Sequence, residues 1–122
     1  MSKYIRSETF FKGYDQSKLF LQTWSHSDAV GTILFSHGQA EHSDCYHRLI
    51  NGLDKIKDTP KWNFVGWDMR GHGQSEGLRG YAKDFDEYVL DYDCFYRESL
   101  KIDFVQNKKI VLLGHSMGGL VQ

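Results

Sequence analysis

Apolar residues along the chain recur in short runs at two different spacings. Ser7–Phe11 and Lys18–Trp24 (KLFLQTW) read as strands, and the Gly13–Ser17 turn between them predicts a hairpin. Thr32–Phe35 is a run of β-branched and apolar residues, the pattern of a strand buried on both faces. From Cys45 to Ile56 the apolar positions are 45, 46, 49, 50, 53 and 56, a helical spacing, with Ser43 placed to cap the helix. Trp62–Trp67 (WNFVGW) reads as another buried strand. A long helix then starts near Phe85, with apolar positions 85, 88, 89, 92, 95 and 96 on one face. Asp84 followed by Glu87 gives it a cap close to a capping box, and the QNKK turn is expected to end it. Ile110–Leu113 is the last strand. The order is a hairpin, then strand, helix, strand, helix, strand. This alternation predicts an α/β fold with a parallel sheet and right-handed crossovers.

Composition narrows the partners. The 122 residues carry a formal net charge of −1, with Lys and Arg scattered. That excludes a block of charge for nucleic acid or an anionic membrane surface. The N-terminus MSKYIRSETF has no apolar core of a signal peptide, and the apolar runs are too short to span a bilayer. A cytoplasmic protein is expected. Cys45 and Cys94 are far apart and outside any CxxC, which predicts packed, reduced thiols.

Three motifs carry chemistry. Gly114-His115-Ser116-Met117-Gly118 is a G-x-S-x-G pattern between an apolar strand and an apparent helix start, the context a nucleophile elbow requires. A sharp turn would lift the Ser116 hydroxyl to the carboxyl end of the sheet, with Gly114 and Gly118 leaving space around it. Backbone N–H groups at the start of the following helix would face a developing negative charge. His37-Gly38-Gln39-Ala40-Glu41-His42 follows the Thr32–Phe35 strand and would lie beside that turn. Gly38 allows close backbone approach, and the Gln39 N–H is the best second donor to an oxyanion. Its histidines and glutamate read H-x-x-x-E-H, one residue longer than the metal-binding H-x-x-E-H, so no metal is expected. Asp68-Met69-Arg70-Gly71-His72-Gly73-Gln74-Ser75-Glu76-Gly77 lacks the G-x-G-x-x-G spacing of a nucleotide loop. Asp68 and Arg70 are expected to pair with each other or with backbone groups, holding a loop that walls the site, and His72 to be structural.

HGQAEHSDCY, DMRGHGQSEG and GHSMGG, in this order and at these distances, resemble the N-terminal half of an α/β-hydrolase. The similarity is greatest to the monoacylglycerol lipase and lysophospholipase branch, also termed serine aminopeptidase-like hydrolases, and runs from about Phe10 onward. The resemblance implies an antiparallel hairpin leading into a mostly parallel sheet with flanking helices. It implies a serine–acid–histidine triad with Ser116 as nucleophile, and the Gln39 and Met117 N–H groups as the oxyanion hole. His37, Gly38, Gly114 and Gly118 would support that site. Gln39 stands where small residues are common in these lipases. The implied substrate is a small lipid-like ester and no cofactor is required. A lid outside these residues would provide any peripheral membrane contact. The triad acid and histidine have no matching position here. Residues 1–122 are therefore expected to be the N-terminal part of one domain, truncated after the elbow, with an exposed edge strand, poor solubility and no activity alone. Two alternatives stay open: a non-catalytic binding protein of this fold, and a peptidase, thioesterase or acyltransferase using the same serine.

Overall fold

A computed structural model describes residues 4–122. Five strands form one mixed sheet: β1 (Ile5–Lys12), β2 (Lys18–Ser25), β3 (Ala29–Ser36), β4 (Lys61–Trp67) and β5 (Lys109–Gly114), in the spatial order β1-β2-β4-β3-β5. β1 and β2 make the expected antiparallel hairpin, and β2 joins β4 antiparallel. β4, β3 and β5 run parallel. The antiparallel part is the hairpin and its junction. Parallel pairing starts where helical connections take over from a tight turn, because only a long crossover can return the chain to the same end of the sheet.

Helices α1 (His47–Asp54), α2 (Phe85–Leu100) and α3 (Met117–Val121) complete the fold. Neighbouring residues on each central strand face opposite ways, so the sheet buries two apolar layers. Leu34, Val65 and Trp67 pack with Tyr88, Tyr92 and Phe95 of α2. Phe35 and Phe64 pack with Trp24 and with Ile50 of α1. Trp67 and Phe95 stack with ring centroids 5.3 Å apart. The Asp84 side chain caps α2 by accepting the Glu87 N–H, as the sequence predicts.

Four local expectations are corrected. Ser43 caps no helix. It lies buried at the start of a 3-10 turn over Ser43–Tyr46, where its hydroxyl accepts the Gln22 side-chain N–H at 2.7 Å. The α-helical part begins only at His47 and stops at Asp54, leaving Ile56 beyond it and exposed. α2 ends at Leu100, short of the QNKK segment, and the chain turns through residues 101–108 before β5. Cys45 is exposed rather than packed, whereas Cys94 is half-buried and burial pushes its thiol pKa up. Among the described residues no helix is long and apolar enough to cross a membrane.

The register of the three parallel strands sets where the loops after them begin. Ser36 of β3 pairs with Trp67 of β4 on one side and with Gly114 of β5 on the other. The three parallel strands therefore end level. The segments after them, beginning at His37, Asp68 and His115, all emerge at one edge of the sheet. The three sequence motifs are brought together by this alignment, across up to 78 residues of chain, the Glu41-to-His115 contact alone spanning 74.

Candidate active site

Ser116 sits at the tip of the turn from β5 into α3, exposed, with φ 54° and ψ −117°. For a residue with a Cβ this is a sparsely populated backbone region that costs about 1–3 kcal/mol and persists only where the surroundings enforce it. The surroundings are tight. A Cβ on Gly118 would lie 2.2 Å from the Ser36 carbonyl oxygen, and one on Gly114 would lie 2.5 Å from the Gly119 Cα. Both glycines of the motif are therefore fixed by contact, between the turn and itself and between the turn and the end of β3. The His115 N–H extends the β3–β5 ladder by donating to the Ser36 carbonyl at 3.2 Å. The Gly118 and Gly119 N–H groups close the turn onto the His115 and Ser116 carbonyls, each at 3.0 Å.

The loop after β3 is built from a different constraint. His37 is wholly buried and uses both ring nitrogens. Nδ1 faces the Gly38 carbonyl at 2.8 Å, and Nε2 accepts the Met69 N–H at 2.8 Å. Nδ1 therefore carries the single proton of a neutral ring. Burial lowers its pKa to about 4, so the ring stays neutral at physiological pH. His37 thus fixes the exit of β3 to the exit of β4. The next turn returns through Glu41, whose N–H donates to the Gly38 carbonyl at 3.1 Å, with Ala40 at φ 62°. Gln39 is left at the tip, exposed. Among the described residues neither the Gln39 N–H nor the Met117 N–H has a hydrogen-bond partner.

The third segment walls the site. A cleft of about 250 Å³ lies between it and the Gln39 turn, lined on the two sides by residues 39–42 and by Gly71, His72 and Gly73. Asp68 bonds backbone groups, taking the Ser43 N–H at 2.6 Å and the Gln74 N–H at 2.9 Å. It does not pair with Arg70. Arg70 turns the other way, to Asp91 on α2 and Asp15 in the hairpin turn, with contacts of 2.9–3.1 Å. The sequence places Asp68 and Arg70 two residues apart, so in extended backbone they share a face. The loop's tight turns separate them.

None of the six histidines hydrogen-bonds the Ser116 hydroxyl among the described residues. His72 is buried against His37, with ring centroids 4.9 Å apart, as expected of a structural residue. His115 is the neighbour of Ser116 in sequence, but its Nδ1 is directed to Glu41 at 2.9 Å. Glu41 is the residue that sequence reasoning missed. In the sequence its carboxylate enters only as a possible metal ligand, and its place three residues after Gly38 is the one signal of a carboxylate folded back onto that turn.

A level row of parallel strands, a strained serine at one strand end and a glycine turn beside it define the α/β-hydrolase class. The solved structure of the Pyrococcus furiosus esterase Pf2001 superposes with a TM-score of 0.75 and 25% sequence identity, over 97% of this chain and 44% of that one. The chain belongs to the serine aminopeptidase S33 family (Hydrolase_4), whose pattern matches residues 27–122. Relatives include human monoglyceride lipase, 35% identical over 111 residues, covering 88% of this chain and 34% of the lipase. Phospholipase YtpA of Bacillus subtilis (strain 168) is 31% identical over 99 residues, covering 81% of this chain and 35% of the phospholipase. The chain thus spans about a third of the length of these two relatives.

Proposed function

We propose that the protein carrying this chain is a serine hydrolase of carboxylic esters with Ser116 as nucleophile. The observation that carries this reading is the Ser116 backbone. A strained, exposed serine stands at the carboxyl end of the sheet, on a turn that holds the unpaired Met117 N–H and beside a turn that holds the unpaired Gln39 N–H. The Ser116 hydroxyl attacks the ester carbonyl and gives its proton to a general base. The tetrahedral oxyanion takes hydrogen bonds from the Gln39 and Met117 N–H groups, and one such donor is worth about 3–4 kcal/mol of barrier. The intermediate collapses, the alcohol leaves with the proton from the base, and water then releases the acid from the acyl-enzyme. The base and its acid partner come from outside residues 1–122, because no histidine here reaches the Ser116 hydroxyl. Residues 1–122 form the N-terminal part of one catalytic domain, and alone they are inactive.

The names of the human and B. subtilis relatives support an ester of a glycerolipid type as substrate. A fluorophosphonate probe tests the chemistry directly. The full-length protein should be labelled on Ser116 and should hydrolyse a p-nitrophenyl ester. Ser116→Ala should abolish labelling and lower kcat by about 10⁴-fold or more, as removal of a serine nucleophile does elsewhere. Full esterase activity in that variant would refute the assignment. Turnover of an aminoacyl amide in preference to any ester would move the reading to a peptidase with the same nucleophile.

A further inference from the structure

Three hydrogen-bond donors from three separate elements converge on one oxygen of Glu41. Its Oε1 accepts the Gly38 N–H at 2.8 Å, faces His115 Nδ1 at 2.9 Å and accepts the Tyr46 hydroxyl at 3.2 Å. Gly38 directly precedes Gln39, and His115 directly precedes Ser116 and Met117. The two turns whose N–H groups would hold the oxyanion therefore meet at this carboxylate. They meet closely: a Cβ on Gly38 would lie 3.0 Å from His115 Nδ1 and 3.2 Å from Glu41 Oε1. Burial disfavours the ionised carboxyl, but the Gly38 N–H and His115 outweigh it and hold the Glu41 pKa below its ordinary value.

The location explains why a side chain is needed. The β3–β5 ladder fixes the two strands up to the Ser36–Gly114 pair and the His115 N–H just beyond it. Past that point no backbone hydrogen bond ties the Gln39 turn to the Ser116 turn among the described residues. Glu41 supplies the next rung. A carboxylate suits it because it only accepts, and charge-assisted hydrogen bonds are about twice as strong as neutral ones.

We propose that Glu41 is a positioning residue that clamps the Gln39 turn to the Ser116 turn and so sets the separation of the two oxyanion donors. The proposal rests on the serine-hydrolase reading of Ser116. Glu41 touches no reacting atom. It acts on the transition state through backbone geometry, and substrate binding does not depend on it.

The test uses the full-length protein, p-nitrophenyl butyrate as substrate and butylboronic acid as a probe of the tetrahedral geometry. Displacing a reacting group by about 1 Å costs about 10²-fold, so Glu41→Ala should lower kcat by about 10- to 100-fold with KM held. Its affinity for the boronate should fall by the same factor. Glu41→Gln keeps an acceptor for Gly38 without the charge for His115, and should fall between Ala and the unmodified protein on both readouts. An unchanged kcat and boronate affinity in Glu41→Ala would overturn the proposal. So would a loss confined to KM, or one matched by the fraction of unfolded protein seen by circular dichroism in both variants. Failure of the unmodified protein to take the fluorophosphonate label on Ser116 would instead sink the serine-hydrolase reading, a separate result.

Discussion

Two glycine-containing regions leave the same edge of the same sheet and differ in how they treat hydrogen bonds. The side chains that hold residues 68–77 together are nearly saturated. Both Asp68 carboxylate oxygens are used, the Ser75 hydroxyl donates to the Asp68 carbonyl and accepts the Phe20 N–H, and Arg70 reaches two aspartates. Among those side chains His72 Nε2 is the exception, buried with no partner among the described residues, and the Arg70, Gly73 and Gly77 N–H groups also lack one. The turns at Gln39, which is exposed, and at Met117, which is half-buried, hold unpaired N–H groups. Where two ordered turns converge and leave donors free, the arrangement is suited to a ligand. On the proposed function the first region is scaffold and the second is the oxyanion site, although both are polar loops in the sequence.

Removing Arg70 is the strongest way to test that division. Its guanidinium pairs with Asp91, which has no solvent exposure, and it is itself buried. Arg70→Ala leaves that buried carboxylate without its cation, held only by the Tyr14 N–H, and breaking such a pair costs about 3–5 kcal/mol. Urea unfolding of the full-length protein should show this loss, while fluorophosphonate labelling per folded molecule is retained. Loss of labelling at unchanged stability would make the wall part of the site and break the comparison.

His37 joins the two regions, and its titration should report on both. Its pKa falls from an ordinary 6.5 to about 4 in the folded protein. The unfolded chain therefore binds a proton first as pH drops. The stability associated with the neutral ring is fully present above pH 6.5 and is lost as pH falls from 6.5 through 4. Each pH unit inside that window removes up to about 1.4 kcal/mol. Unfolding measured across it should show this slope, and His37→Gln should flatten it. An unchanged slope in that variant would assign the pH dependence to other groups.

The smallest expected effect sharpens the site side. Ala40 holds φ 62°, a conformation that costs a Cβ-bearing residue about 1–2 kcal/mol. Ala40→Gly relieves that cost but gives the unfolded chain more freedom, worth about 0.4–1 kcal/mol in the other direction. A net gain of about 1 kcal/mol or less should appear in urea unfolding. A net loss would show that the Ala40 methyl group contributes packing at the turn.

The elements of the fold were largely legible because each follows from a local period. Strand and helix spacing, and the Asp84 cap, depend on residues within one or two turns of chain. The misreadings share the opposite property. Ser43 has a capping side chain, but Gln22, a strand away, claims its hydroxyl. Arg70 has Asp68 close in sequence, but Asp91 and Asp15 are closer in space. Cys45 has helical spacing, yet the 3-10 turn before α1 rotates it out to solvent. At the candidate site, the sharp turn at Ser116 with its flanking glycines is legible because a few adjacent residues fix it. Glu41 is not, because its role exists only once β3 and β5 lie side by side and bring His115 to it.

The backbone at Ser116 also limits what could stand there instead. A β-branched side chain is a genuine outlier at positive φ, so threonine is poorly suited to the position even though it carries the same hydroxyl. Cysteine and aspartate have a single Cβ substituent comparable to serine and meet no such penalty. The turn therefore fixes a repertoire rather than a reaction. On the proposed function it offers one raised, unbranched nucleophile, and a change of chemistry at this point is open to a thiol or a carboxylate but closed to the alcohol nearest to serine.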